Sequence, residues 1–242
     1  MEPNPSVWLV VPTYNEAENL EPLVRAALAH LPSGARVLIV DDDSPDGTGR
    51  LAERIAADQP AVDVLHRPRK EGIGPAYVAG FRAALEAAPD LVAQIDADLS
   101  HDPADLPRLI AAAANADLVL GSRYVTGGGV EHWGALRRAI SRGGSTYARA
   151  VLGVGVRDLT GGFKVFRRPV LEAIDLESIS SLGYAFQVET TYRAIRAGFR
   201  VVEVPIRFAD RRAGESKMSG RIVAEAALRV PGMRLDAGRR RR

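Results

Sequence analysis

Two acidic groupings carry the first chemical signal in this chain. Asp41-Asp42-Asp43 follows the apolar run Val37 to Val40, and Asp96-Ala97-Asp98 follows Leu91 to Ile95. Adjacent carboxylates repel one another unless a cation or hydrogen-bond donors compensate. A D-x-D in a strand-end loop can turn both carboxylates toward one divalent ion, and such oxygen ligands suit Mg2+ or Mn2+. Such an ion would bridge a diphosphate and offset the charge that grows on it as it leaves. For Asp41 to Asp43 two roles stand side by side: N-capping of the next helix, and accepting hydrogen bonds from a ligand such as ribose hydroxyls.

The surrounding elements place both groupings at strand ends. Val7 to Val11 reads as a buried strand closed by Pro12, followed by a helix over Glu16 to His30. Val37 to Val40, Val62 to Leu65, Leu91 to Ile95 and Leu118 to Leu120 read as further strands. Helices are expected from near Asp46 to Ala57, over Pro75 to Ala87 and over Pro103 to Ala113. This alternation predicts an α/β fold, a mostly parallel sheet with helices on both faces, whose ligands bind beyond the carboxyl ends of the strands. The second half is less regular. Helices are expected over Arg137 to Leu152, Phe186 to Ala197 and Ile222 to Val230, with a strand at Val201 to Val204 and a polar loop over 207–220.

Composition bounds the rest. The 242 residues, 46% hydrophobic and 26% charged, suffice for an ordinary core. The absence of Cys excludes disulfides, thiolate nucleophiles and Cys-ligated metals. The polar stretch Met1 to Ser6 has no signal-peptide pattern, and no run of about 20 apolar residues could form a membrane span. Residues 207–242 hold eleven Arg or Lys against four Asp or Glu, which leaves the first 206 residues at −5 within a total of +2. Such a basic end can meet phosphates or anionic lipid, or be a solvated tail. It lacks interleaved aromatics, so nucleic acid is not an expected partner. Gly72-Ile73-Gly74 lacks the third glycine of a dinucleotide fingerprint.

Further motifs occur in order along the chain. Pro12-Thr13-Tyr14-Asn15-Glu16, Asp41-Asp42-Asp43-Ser44-Pro45-Asp46-Gly47-Thr48, Asp96-Ala97-Asp98-Leu99-Ser100-His101 and Gly121-Ser122-Arg123-Tyr124 resemble family 2 glycosyltransferases. Trp133, Arg137, Ser141, Gly143, Asp158 to Lys164, Asp210-Arg211 and Gly214 to Lys217 extend the match. With them the chain resembles the polyprenol (dolichol) phosphate mannose synthases over residues 7 to about 222, and its Ala- and Arg-rich composition is similar to that of actinobacterial members. The resemblance implies a GT-A, Rossmann-like catalytic domain over 1–225, with a mobile loop at 207–220 and a basic, disordered tail at 226–242. It also implies inverting transfer of mannose from GDP-mannose to polyprenyl phosphate. Pro12, Tyr14 and Glu16 would hold the guanosine side, and Asp41 and Asp43 the base and ribose. Asp96 and Asp98 would hold Mg2+ or Mn2+ and the GDP diphosphate. Arg211 and Lys217 would close over the phosphates, and Arg123, Arg137 and Ser141 would receive the lipid phosphate. The expected catalytic set is Asp98, Arg123, Arg137 and Arg211. One departure concerns the metal: many relatives carry Gln where this chain has Ser100.

A phosphate acceptor would explain why no catalytic base stands out. A phosphate monoester, with a second pKa of about 6, is largely dianionic at neutral pH and needs positioning rather than deprotonation. Guanidinium groups bind it bidentately. His101 beside the D-x-D reads as structural, and Glu189 as either a support of the site or a buried structural carboxylate. Arg137 to Leu152 and Ile222 to Met233 mix basic and apolar residues, which suits either interfacial helices or core packing. The expected location is cytoplasmic, peripheral on the cytoplasmic face of the membrane, with a membrane protein as a possible tether. The alternatives are a family 2 transferase that uses a UDP-sugar, such as a polyprenyl-phosphate glucosyltransferase, and a non-catalytic nucleotide-sugar-binding subunit.

Overall fold

Side chains along β1 (Val7–Thr13) alternate between two apolar layers: Leu9 and Val11 join one core cluster, and Val10 the other. A strand buried on both faces must be covered on both, and the helices do this. The computed structural model describes residues 5–179, 181, 183–209 and 228–235. After β1 come α1 (Ala17–His30), β2 (Arg36–Asp41), α2 (Thr48–Asp58), β3 (Val62–His66), α3 (Ile73–Glu86), β4 (Leu91–Gln94), α4 (Leu106–Ala112) and β5 (Leu118–Ser122). Then follow β6 (Gly129–Val130), α5 (Ala135–Leu152), β7 (Lys164–Arg167), α6 (Arg168–Ala173), α7 (Gly183–Arg196), β8 (Val201–Pro205) and β9 (Arg207–Phe208). Seven strands form one sheet in the order β3-β2-β1-β4-β7-β5-β8, and β6 and β9 form a separate ribbon.

The sheet is parallel except for β7, which runs antiparallel to both β4 and β5. This strand is absent from the sequence expectations, because Lys164-Val165-Phe166-Arg167 is short and places a lysine at a position that is fully buried. Lys164 pairs with Gln94 on one side and Leu120 on the other, at the sheet's centre.

Pro12 does not end the first strand as expected; β1 continues to Thr13. The carbonyl of Val10 accepts from the Ile95 amide, so the backbone at position 12, two residues on, faces the same side. The β1–β4 pairing stops at Gln94, so the missing Pro12 N–H costs no ladder bond. The helix expected from near Asp46 begins at Thr48 instead. Asp46 Oδ1 accepts from the Thr48 amide (3.0 Å) and hydroxyl (2.6 Å), so this carboxylate, and none of Asp41 to Asp43, serves the first turn of α2. Residues 228–235 are helical through Pro231, whereas the sequence reading stopped that helix before the proline. Close packing of α3 on the sheet depends on Gly80, where a Cβ would lie 2.4 Å from Val10 Cγ1.

Candidate active site

The carboxyl ends of the adjacent strands β2, β1 and β4 bring Asp41, Thr13 to Glu16 and Asp96 to Asp98 to one edge of the sheet. On the β2 side the acidic loop satisfies itself. Asp41 is buried and accepts from the Ser44 hydroxyl (2.6 Å) and amide (3.2 Å) and from the Thr13 hydroxyl (3.2 Å). Asp42, to which the sequence reading gave no role of its own, is also buried. It pairs with Arg67 and accepts from the Glu71 and Gly72 amides, each at 3.2 Å. Arg67 in turn pairs with Glu71. Asp43 is exposed, with a positive φ of 59°. The Lys70 ammonium lies 3.7 Å from the centroid of the Tyr14 ring. Glu16 accepts from Asn19 (2.9 Å), and its amide donates to Thr48 (2.9 Å).

Asp96 and Asp98 open onto a cavity of about 300 Å³ that also reaches Arg123, Arg137 and Ser141. Five of the expected site residues therefore meet there, the acidic pair and the three phosphate-binding candidates. Pro12, Tyr14, Glu16, Asp41 and Asp43 do not line it. Arg211 and Lys217 lie outside the described residues, as does nearly all of the 207–220 loop. The Asp96 carboxylate accepts from Tyr77 Oη (2.8 Å), whose ring stacks on Phe81 and Phe186. Burial, together with the nearby Asp96 charge, raises the Tyr77 pKa well above its ordinary value, so it stays a donor. Gly162 backs Asp96 closely; a Cβ there would stand 2.7 Å from Asp96 Oδ2.

A polar layer beneath the site sets that Gly162 position. Gln94 Nε2 donates to the Gly162 carbonyl (2.7 Å) and to Gln187 Oε1 (2.9 Å). Lys164 Nζ donates to the Gln187 carbonyl (2.7 Å) and to Thr190 Oγ1 (3.1 Å). Burial pushes the Lys164 pKa down to about 7, against the pull of Asp158 and Asp96. Lys164 closes the Asp158 to Lys164 motif, and only the unexpected strand β7 explains its place. Glu189, left open between two roles, pairs with Arg193, which also binds the carbonyls of Ile174, Asp175 and Ser178. Its role is to fasten α7 to that turn.

Arg123, expected to receive the lipid phosphate, is engaged by a buried aspartate. Its Nε and Nη2 both bond Asp158 at 2.7 Å, its amide donates to the same carboxylate (2.9 Å), and Nη2 also reaches Thr160 (2.8 Å). Both partners are buried. Burial alone would lower the arginine's pKa and raise the aspartate's, but their mutual attraction reverses both shifts. Arg137, on α5, instead lies against the Trp133 ring, its Cζ 4.3 Å from the centroid. Ser141, one helical turn on, accepts from Tyr124 Oη (2.6 Å).

His101 is buried between Phe163 and Phe208, and burial lowers its pKa to about 4, so it is neutral. Ser100 Oγ, both His101 ring nitrogens and Trp133 Nε1 are buried and have no hydrogen-bond partner among the described residues. Around the cavity, α5 exposes Leu136 (75%) and Ile140 (42%), which also lines it, and the helical segment 228–235 exposes Leu228 (80%) and Leu235 (70%). Among the described residues, no helix is long and apolar enough to cross a membrane, and no group of three or more His, Asp or Glu could hold a metal.

The family model of glycosyl transferase family 2 matches residues 8–175. The chain belongs to that family. It is 51% identical over 224 residues to the undecaprenyl-phosphate mannosyltransferase of Micrococcus luteus, covering 93% of this chain and 92% of that protein. It is 48% identical over 232 residues to the polyprenol monophosphomannose synthase of Mycolicibacterium smegmatis, covering 95% and 87%. Solved structures share the fold at low identity. Glucosyl-3-phosphoglycerate synthase from Mycobacterium tuberculosis, in complex with Mn2+, UDP and glucosyl-3-phosphoglycerate, superposes with a TM-score of 0.67 at 18% identity, covering 96% of this chain and 80% of that one. A mannosyltransferase from Pyrobaculum calidifontis, in complex with GDP-Man and Mn2+, gives 0.61 at 17%, covering 98% and 74%. The fold is GT-A and the protein is a glycosyltransferase, as its motifs implied.

Proposed function

We propose that this glycosyltransferase moves mannose from GDP-mannose to a polyprenyl phosphate, with inversion, at the surface of the membrane. The observation that carries this reading is the cavity itself. It joins Asp96 and Asp98 to Arg137, and its neighbouring helix α5 exposes apolar side chains. An acceptor with an anionic head and an apolar chain matches both ends. The two bacterial relatives, named for polyprenyl-phosphate mannosylation, support the same acceptor and sugar.

Asp96 and Asp98 would hold Mg2+ or Mn2+, because hard carboxylate oxygens suit either ion. The unpartnered Ser100 Oγ, two residues beyond Asp98, fits a polar ligand arriving at this point. When bound, the ion would neutralise charge on the departing GDP. Tyr77 and Gly162 fix the direction of Asp96. Arg137 and Ser141 would place the acceptor phosphate. Arg123, already neutralised by Asp158, would hold the Thr160 edge of the cavity and add a guanidinium edge. The donor's nucleoside would lie toward Pro12, Tyr14, Glu16, Asp41 and Asp43, with Arg211 and Lys217 closing over its phosphates. The exposed leucines of α5 and of 228–235, flanked by Arg138, Arg142 and Arg149, would rest on the cytoplasmic face of the membrane as a peripheral contact.

The test is transfer from labelled GDP-mannose and from labelled UDP-glucose to a short polyprenyl phosphate, with Mg2+ or Mn2+. Transfer of mannose alone is expected. Transfer from UDP-glucose alone would replace the donor, and GDP binding without turnover on any lipid phosphate would point to a non-catalytic subunit.

A further inference from the structure

Trp133 stands where two arginines and the acceptor cavity meet, yet the reaction scheme gives it nothing to do. Its ring lines the cavity, is 7% exposed and packs edge-on against Phe208 at 5.3 Å between centroids. One guanidinium, Arg137, lies 4.3 Å from the ring centroid, and the other, Arg123, lies 5.8 Å away. The indole Nε1–H has no acceptor among the described residues, although it is buried. An indole nitrogen can only donate, and a buried donor left unmet costs free energy. Such a cost persists in a folded protein where a ligand removes it.

We propose that Trp133 is a positioning and binding residue of the acceptor site: its face holds the Arg137 guanidinium, and its Nε1–H donates to an anionic oxygen of the acceptor phosphate. The inference rests on the reading that the acceptor is a polyprenyl phosphate. A guanidinium over an aromatic face is attracted by the ring quadrupole, most strongly for Trp and when water is excluded. A phosphate dianion supplies only acceptors, which is what the indole N–H and the guanidinium both require. Trp133 immediately precedes the Gly134 N-cap of α5, so the same segment sets the ring and the helix that carries Arg137 and Ser141.

The test uses geranyl phosphate as the acceptor and GDP-mannose as the donor. Trp133→Phe keeps an aromatic face and deletes the N–H. The KM for geranyl phosphate is expected to rise about tenfold, the loss of one charge-assisted hydrogen bond, with the KM for GDP-mannose within about twofold of wild type. Trp133→Ala should raise the acceptor KM further, and combining it with Arg137→Ala should add less than the separate effects imply. An acceptor KM unchanged in Trp133→Phe, or equal losses for donor and acceptor, would overturn the proposal. A measurement without mutation guards against a variant that does not fold. The chain has two tryptophans, Trp8 and Trp133, so two indole N–H resonances suffice to follow the site by NMR. Geranyl phosphate should shift the Trp133 indole resonance downfield, and GDP alone should not. If wild type binds geranyl phosphate without moving that resonance, this inference alone falls. If it binds no isoprenyl phosphate at all, the acceptor reading falls with it.

Discussion

The two sides of the D-x-D treat their polar groups in opposite ways. Toward β2, Asp41 and Asp42 are buried and fully engaged by the protein: Ser44, Thr13, Arg67 and two backbone amides compensate them. Toward α5, Ser100 Oγ, the His101 ring nitrogens and Trp133 Nε1 are buried with no partner among the described residues. Carboxylates on the first side are spent on shaping a loop. Polar atoms on the second are held against solvation cost beside a cavity. The difference separates residues that build the site from residues that await a ligand, and this division is what mutation can break.

The largest effect is expected at the seam. Asp98→Ala removes a carboxylate proposed to hold the metal, one that accepts from the Ser100 amide at 3.1 Å. Transfer should fall by about a thousandfold, while the melting temperature changes little. Retained activity would show that Asp96 alone suffices. Next, Asp158→Ala strips Arg123 of its buried partner. An uncompensated buried charge costs about 3–5 kcal/mol, so chemical denaturation should show a large loss of stability along with activity. If stability holds, Arg123 is not committed to folding, and its pair with Asp158 is dispensable to the core.

A matched pair of arginines sharpens the comparison. Arg67→Met leaves Asp42 buried without its cation, and its main effect should be a stability loss of about 3 kcal/mol. Arg137→Ala should instead cost about a hundredfold in kcat/KM for the lipid phosphate, with a small change in denaturation midpoint. Equal destabilisation by both would break the division between building and waiting residues.

The sequence made the first half of the fold readable because its strands and helices alternate with strong apolar periodicity. It placed Asp96, Asp98, Arg137 and Ser141 around one cavity through ordered motifs. What it missed has physical causes. β7 carries a buried lysine in a four-residue strand, which no apolar pattern announces. The Arg123–Asp158 pair joins residues 35 apart, and nothing in either local segment signals it. Asp42 was one of three adjacent acids, and only the return of the chain after β3 brings Arg67 to it and singles it out from its neighbours. Pro12 looked like a terminator because its sheet neighbour's length cannot be read from β1 itself.

The smallest expected effect concerns Lys164, which sits below both sides and is satisfied by Gln187 and Thr190, as the β2-side groups are satisfied by theirs. Burial lowers its pKa from 10.5 to about 7. Below pH 7 folded and unfolded chains both carry the proton, and the cost of a buried ammonium is fully present. Between 7 and 10.5 the unfolded chain keeps a proton that the folded chain releases, so folding stability rises with pH across that window and is lost again on acidification. Lys164→Met removes the titration. Urea midpoints for wild type and variant, measured at pH 7 and pH 9.5, should therefore diverge in slope, with wild type gaining more than the variant at the higher pH. Parallel behaviour would mean that Lys164 keeps an ordinary pKa, so that its two acceptors hold a permanent charge. The polar layer under Gly162 would then be a fixed cation facing Asp96 rather than a group near its own titration point.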